Sequence, residues 1–290
     1  MVTSQSRFGG SHTERKLEAI EDYLSAYLQI LSKTSFRTVY VDAFAGSGAI
    51  PTGYGGNLFP DLTDADALGE GSAIRALKLK KRFEQYIFID SNRKKLRELE
   101  SRISREVPDT PRVTYVQGDA GEELLKLCSM LSKPNLRAVV FLDPFGSQVS
   151  WETLSALAKT RHVDLWYLFP AGLSVNRQIS ADGSFTPEQE KSLNRLFGPH
   201  DWKSRLLEKR AITDLFGTHE EVQKVANIDD ITRYMIDCMN TVFAGEVLKK
   251  WLPLGRGGAH WYYLIFAMAN SSTSAKKIGH RVAEHVMTRS

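Results

Sequence analysis

A chain of 290 residues can hold one large α/β domain with an elaboration, or two small domains. An apolar content of 42% and a charged content of 25% are ordinary for a folded globular protein, and a formal charge of +4 permits a nucleic-acid partner without requiring one. Cys128 and Cys238 lack Cys-x-x-Cys spacing, no run reaches the roughly 18 apolar residues of a membrane span, and the polar start Met1–Ser6 is no signal peptide. These features exclude a disulfide framework, give a metal site no support, and lead us to expect a cytoplasmic protein with no membrane partner.

Residues 1–10 read as a frayed end. A helix is predicted from Ser11-His-Thr-Glu14, a capping-box pattern, with Leu17, Ile20, Leu24, Leu28 and Leu31 forming its apolar stripe. A strand over 38–42 follows. From Ala49 to Gly71 the chain is rich in Gly, Pro and Asp and reads as a long loop, functional or disordered. A helix over 72–83, a strand over 86–90, a charged helix from Arg93 and a strand over 113–117 come next. Helix 121–132, strand 138–142, a helix marked by Trp151, Leu154 and Leu157, and strand 164–169 continue the alternation. Residues 171–240 then read as a polar, helical inserted module for substrate or partner recognition. Thr186-Pro187 with Gln189, and Asn227, open helices within it. Strand-like runs at 243–252 and 261–268 are joined by the tight Gly255-Arg-Gly-Gly258 connection.

Strands alternating with helices indicate a mostly parallel, doubly wound sheet. We therefore expect a single α/β domain over 1–290, Rossmann-like, with seven strands, a closing antiparallel hairpin and the helical insertion. Four successive strands end in acids: Asp42, Asp90, Asp119 and Asp143. In such sheets ligands bind outside the carboxyl ends of the strands, so these acids mark one candidate rim.

The segment Asp42–Gly48 is compatible with several nucleotide-like ligands. No Gly-Lys-Ser/Thr follows, which excludes a P-loop, and the third glycine of the dinucleotide fingerprint is replaced by Pro51. S-adenosylmethionine has no phosphate to cradle and needs close backbone approach, which Gly46 and Gly48 can give. A ligand-free glycine turn is the plainer alternative. Asp90 is placed to accept from ribose hydroxyls, and Asp119 with the Ala120 amide to meet adenine; each is equally readable as a helix N-cap. Asp143-Pro144-Phe145 fits methylation of an exocyclic amine: a carboxylate and a proline-fixed carbonyl hold the N–H bonds while the ring stacks on a flat base. The alternative is a strand-end turn with Phe145 in the core. Phe169-Pro170 forms another pocket wall or merely ends a strand. Arg177, Arg256, Lys276, Lys277 and Arg281 are candidates for phosphate contacts.

The segments Thr13-Glu-Arg-Lys-Leu17, Tyr40-Val-Asp-Ala-Phe-Ala-Gly-Ser-Gly48, Gly71-Ser-Ala-Ile-Arg-Ala76, Tyr86-Ile-Phe-Ile-Asp90, Phe141-Leu-Asp-Pro-Phe-Gly146, Asp164-Leu-Trp-Tyr-Leu-Phe-Pro-Ala-Gly172 and Trp261-Tyr-Tyr-Leu-Ile-Phe266 together resemble the three-Cys-motif partner proteins. The resemblance implies a class I methyltransferase-like fold and a radical-S-adenosylmethionine-like partner protein that carries the cysteines. Asp143-Pro-Phe-Gly146 also resembles the motif of tRNA guanine-N2 methyltransferases and, more loosely, the Asp-Pro-Pro-Tyr motif of adenine-N6 enzymes. The expected cofactor is S-adenosyl-L-methionine, held by Lys16, Asp42, Phe44, Ala45, Gly46, Gly48, Asp90, Ser91, Asp119, Ala120 and Asp143. Asp143, Pro144 and Phe145 are the expected catalytic group, with RNA or DNA as substrate. Methylation of a protein, peptide or small molecule, and a non-catalytic cofactor-binding role beside the partner, are the alternatives.

Overall fold

The computed structural model describes residues 11–51, 68–109, 112–214, 217–256 and 259–289. Helix α1 (Ser11–Leu31) buries Leu17, Ile20, Leu24 and Leu28 of the predicted stripe and Tyr23 besides, while Leu31 is only half-buried. The Ser11 side chain and residues 1–10 lie outside the described residues, and Glu14 pairs with Arg75 (2.7 Å). Strand β1 (Arg37–Asp42) is buried beyond Arg37. Ala49–Pro51 and Leu68–Glu70 pair antiparallel as β2 and β3, so the stretch expected to be all loop is tied at its base. Residues 52–67 lie outside the described residues.

Helix α2 (Ser72–Leu77) is shorter than the predicted 72–83. Lys78 leaves it to bind Glu70 (2.6 Å) and Glu106 (3.0 Å), and a further turn would set Lys78 against Arg82, a like-charge pair at four-residue spacing. Then come β4 (Gln85–Asp90), α3 (Arg93–Glu106), β5 (Arg112–Gln117), α4 (Ala120–Leu131), β6 (Leu136–Leu142), α5 (Trp151–Lys159) and β7 (Val163–Phe169). A π-helical turn, Ala171–Val175, and a 3₁₀ turn, Asn176–Gln178, lead to α6 (Pro187–Phe197), which the Thr186–Gln189 capping box opens as predicted.

The region from 171 to 240 is not wholly helical. After α7 (Trp202–Leu206), β8 (Leu207–Asp214) and β9 (Gly217–Lys224) form an antiparallel hairpin before α8 (Ile228–Asn240), which Asn227 caps. The sequence hides this hairpin because its ladder carries Glu208, Lys209, Arg210, Glu220 and Glu221, where a half-buried strand would alternate apolar residues. The strand expected over 243–252 is likewise corrected. It divides into β10 (Glu246–Val247) and β11 (Leu252–Arg256), both paired with β12 (Ala259–Met268), before α9 (Thr273–Arg289).

The central sheet runs β10-β12-β7-β6-β1-β4-β5, with β11 also on β12, giving eight strands where seven were expected. β1, β4, β5, β6 and β7 are parallel and β12 is antiparallel to β7. This is a Rossmann-like, mostly parallel, doubly wound sheet closed by an antiparallel hairpin. The chain starts in the middle, builds outward through β4 and β5, then returns to β6 on the other side of β1. That reversal opens a crevice at the carboxyl ends of β1 and β6.

Alternate residues of each strand feed opposite layers. Tyr40, Phe88, Trp166 and Phe266 pack under α1, α2, α3 and α9. Val41, Ile87, Val140 and Tyr167 pack against α4, α5, α6 and α8. Val175, Leu193, Phe197 and Met235 join this second layer, so the 171–240 segment shares the core of the sheet. No described helix is long and apolar enough to cross a membrane.

Candidate functional site

Asp42 ends β1 fully buried. It accepts from Ser72 Oγ (2.6 Å) and from the Phe44 amide (3.2 Å), which joins the start of α2 to the turn after β1. Burial pushes its carboxyl up to about 7, against the lowering effect of these hydrogen bonds. Both oxygens are thus spent inside the scaffold. Ala45 is buried, and its amide donates to Ile89 O (2.9 Å).

The two glycines of the turn do different work. Both are left-handed, at φ +61° for Gly46 and +72° for Gly48. A Cβ on Gly46 would meet nothing within 4 Å, so the backbone there faces open space. A Cβ on Gly48 would lie 2.6 Å from Leu99 Cδ1, so this residue lets α3 pack against the turn. Its carbonyl also accepts from Gly71 N (2.9 Å) and Arg102 Nη1 (2.6 Å).

Asp90 clips the turn in place. Its Oδ2 accepts from Gly46 N (3.0 Å) and its Oδ1 from Asn92 N (2.7 Å). Asn92 caps α3, so Asp90 is free of the N-cap role that was its alternative reading. Ser91 is exposed beside it. Asp119 does cap its helix, through Oδ1 to Gly121 N (2.9 Å) and Glu122 N (3.1 Å). Its Oδ2 has no partner among the described residues. Ala120 is buried directly after it.

Asp143 follows β6 and is ion-paired with Lys16 of α1, whose ammonium also sits 5.9 Å from the centre of the Phe141 ring. Lys16, Phe44, Asp143, Pro144 and Phe145 line one cavity of about 250 Å³ with Thr13, Leu168, Leu254 and Tyr262. Phe145 is not in the core: 74% of it is exposed, with Lys95 Nζ 5.3 Å from its ring centre. The loop behind it is held by Gln178 Nε2 donating to Ser147 Oγ (2.9 Å) and Arg195 Nη2 donating to Ser147 O (2.8 Å).

Phe169 is no pocket wall. It is buried in the layer opposite α1, and the odd–even alternation of β7 gives that place to Leu168. Lys276 and Lys277 also miss the rim, because α9 starts beside the end of β12, at the edge of the sheet opposite Asp143. The Arg256 side chain lies outside the described residues. Tyr262 and Lys95 were not singled out from the sequence. The first sits inside a continuous apolar run and the second inside a run of helix cations, and neither run marks which member faces the rim.

No protein-family model matches the chain, and no curated protein matches it by sequence. Among solved structures, protein LPL1258 from Legionella pneumophila str. Philadelphia 1, of family-model DUF519, aligns with a TM-score of 0.50 at 10% identity. The match covers 97% of this chain and 94% of that one. The likeness is one of fold. Trm1 from Pyrococcus horikoshii, solved with S-adenosyl-L-methionine, gives a TM-score of 0.47 at 12% identity over 92% of this chain and 58% of its own. An rRNA methylase from Streptococcus thermophilus gives 0.31 at 13% identity over 78% of this chain and all of its own.

Proposed function

We propose that the protein is a cytoplasmic S-adenosylmethionine-dependent methyltransferase that acts on an exocyclic amine of a nucleobase in RNA or DNA. One observation carries this reading. A paired carboxylate, Asp143, and an outward aromatic ring, Phe145, line the same cavity at the reversal point of the sheet. The residues present also fit the cofactor: Gly46 offers bare backbone, Asp119 an idle oxygen, and Phe44 a half-buried ring in the Asp143 cavity.

Gly46, Asp90, Phe44 and Asp119 would hold the cofactor, whose sulfonium supplies an electrophilic methyl group. Lys16 fixes one oxygen of Asp143. The other oxygen and the Pro144 carbonyl are then available to accept the two N–H bonds of a substrate amine, which leaves its lone pair free. Phe145 offers a face for the base, and stacking on such a ring tolerates any base. Holding the nitrogen in line supplies most of the acceleration, because the methyl donor is already reactive. The surplus proton on nitrogen passes to solvent through the open mouth of the site.

The motifs shared with three-Cys-motif partner proteins support a second component, a cysteine-bearing protein partner. Transfer of labelled methyl groups from S-adenosylmethionine to cellular RNA or DNA, with nucleoside mass spectrometry, tests the reaction. A methylated amine that Asp143→Ala abolishes is expected. Methylation found only on protein or small molecules would overturn the substrate assignment. Obligate co-purification without transfer would favour the non-catalytic role.

A further inference from the structure

A second cavity, of about 290 Å³, opens between α1 and α9 at the edge of the sheet away from Asp143. Tyr23, Tyr27, Phe36, Ile278 and Val282 give it an aromatic and aliphatic wall. Its polar lining includes Arg137, His162, Asn270 and Asp164, the last near the start of β7 and only 9% exposed. Its Oδ2 accepts from the Tyr23 hydroxyl (2.6 Å). Its Oδ1 makes no hydrogen bond or ion pair among the described residues. The carboxyl is largely buried and lines the cavity, so this oxygen is left to whatever fills it, a ligand or water.

Arg137, also on the wall, makes its hydrogen bonds through one nitrogen, which also meets His162 Nδ1 (3.3 Å). Its Nη1 donates to Pro134 O (2.9 Å) and Leu136 O (2.6 Å), and its guanidinium stacks 3.7 Å from the Phe36 ring centre. Its charge acts on Asp164, but it forms no ion pair with it and stacks on Phe36 instead, so Asp164 Oδ1 is left for a ligand ammonium. The aromatic rings of Tyr23, Tyr27 and Phe36 in the lining add to that preference, since aromatic rings attract cations. We infer that this cavity is a second binding site, for a small organic amine whose ammonium meets Asp164 Oδ1 and whose apolar body lies between α1 and α9. The size suits a one-ring molecule, at the lower end of ligand pockets.

The site is separate from the methyl-transfer site and does not rest on that reading. β6 carries Arg137 near one end and Asp143 just past the other, six residues apart, or roughly 20 Å of extended strand. Calorimetry at pH 8 with phenethylamine, and with phenethyl alcohol as its uncharged counterpart, tests the inference. Saturable binding of the amine is expected, about tenfold or more tighter than the alcohol, as for a hydrogen bond to a charged group. Asp164→Asn should erase that preference, and Ala275→Phe, which fills the cavity, should remove binding of both probes. Saturating S-adenosylhomocysteine should leave the amine affinity unchanged. Absence of saturable amine binding, equal affinity for the two probes, or amine binding retained by a folded Ala275→Phe protein would overturn the site. The last test stands even where Asp164→Asn does not fold.

Discussion

Two buried carboxyls should make this protein lose stability as the solution turns from mildly acidic to mildly basic. Asp42 and Asp164 are each pushed from 3.8 to about 7, chiefly by burial. A folded-state value above the unfolded one means that the folded chain holds extra protons between those limits. Stability is therefore fully present below the unfolded value and is lost as pH rises through the folded one. The whole span is about 3 pK units, or about 4 kcal/mol per carboxyl. Between pH 5 and pH 8 about 2 of those units are crossed, or about 2.6 kcal/mol for each group and about 5 for both. Asp42 is fully buried and Asp164 only 9% exposed, so screening by solvent is slight. His162, whose pKa is lowered first by burial and then by Arg137, acts in the opposite sense and trims the total. Tyr23, Tyr27 and Tyr40 are pushed up and stay neutral throughout. Urea unfolding at a series of pH values, with a constant slope against denaturant, reads the effect directly. Asp164→Asn should about halve the pH dependence. A midpoint that is flat or rises from pH 5 to pH 8, or the same dependence in Asp164→Asn, would refute the reasoning.

Three further outcomes follow from the rim. Gly48→Ala should cost about 2–4 kcal/mol, combining left-handed strain with overpacking against Leu99, while Gly46→Ala should cost only the strain of about 1–2 kcal/mol yet obstruct the cofactor. Denaturant unfolding and S-adenosylhomocysteine calorimetry on the pair separate the two roles, and equal stability losses would contradict them. Asp90→Ala removes the acceptor of Gly46 N and Asn92 N, so S-adenosylhomocysteine affinity should fall roughly tenfold or more; unchanged affinity in a folded variant removes Asp90 from the site. Phe145→Ala should weaken nucleic-acid capture by about 1–3 kcal/mol with little loss of stability, because the ring is largely exposed. Unaltered RNA and DNA binding in gel-shift or anisotropy assays would deny the stacking role.

The fold was legible because its strands are dense, short and regularly separated. Val39–Asp42, Tyr86–Asp90, Val139–Leu142 and Leu165–Phe169 are buried on both faces, and such strands announce themselves by continuous apolar runs. Elements without an apolar pattern of their own did not announce themselves. The β8–β9 hairpin carries charge along its ladder, and β10 is two residues long, fixed mainly by its pairing to Met268 and Ala267. Contacts made across the fold were equally invisible. Lys16 meets Asp143 across 127 positions of sequence, and no local pattern reports such a meeting.

The four strand-end acids show why a sequence signal can find a rim without sorting its members. A carboxylate at the carboxyl end of a parallel strand always has unpaired backbone amides of the next turn within reach, so acids are favoured there with or without a ligand. The structure divides them on that basis. Asp42 gives both oxygens to Ser72 and Phe44, and Asp90 gives both to the amides of Gly46 and Asn92. Asp119 spends one oxygen on the start of α4. Asp143 accepts only from a side chain, Lys16, among the described residues, and it opens into a cavity beside an exposed aromatic ring. The acid least used by the backbone is the one with most capacity left for a substrate. That ordering is the reason for proposing Asp143 as the acid that meets the substrate, with Asp90 and Asp119 toward the cofactor and Asp42 inside the scaffold.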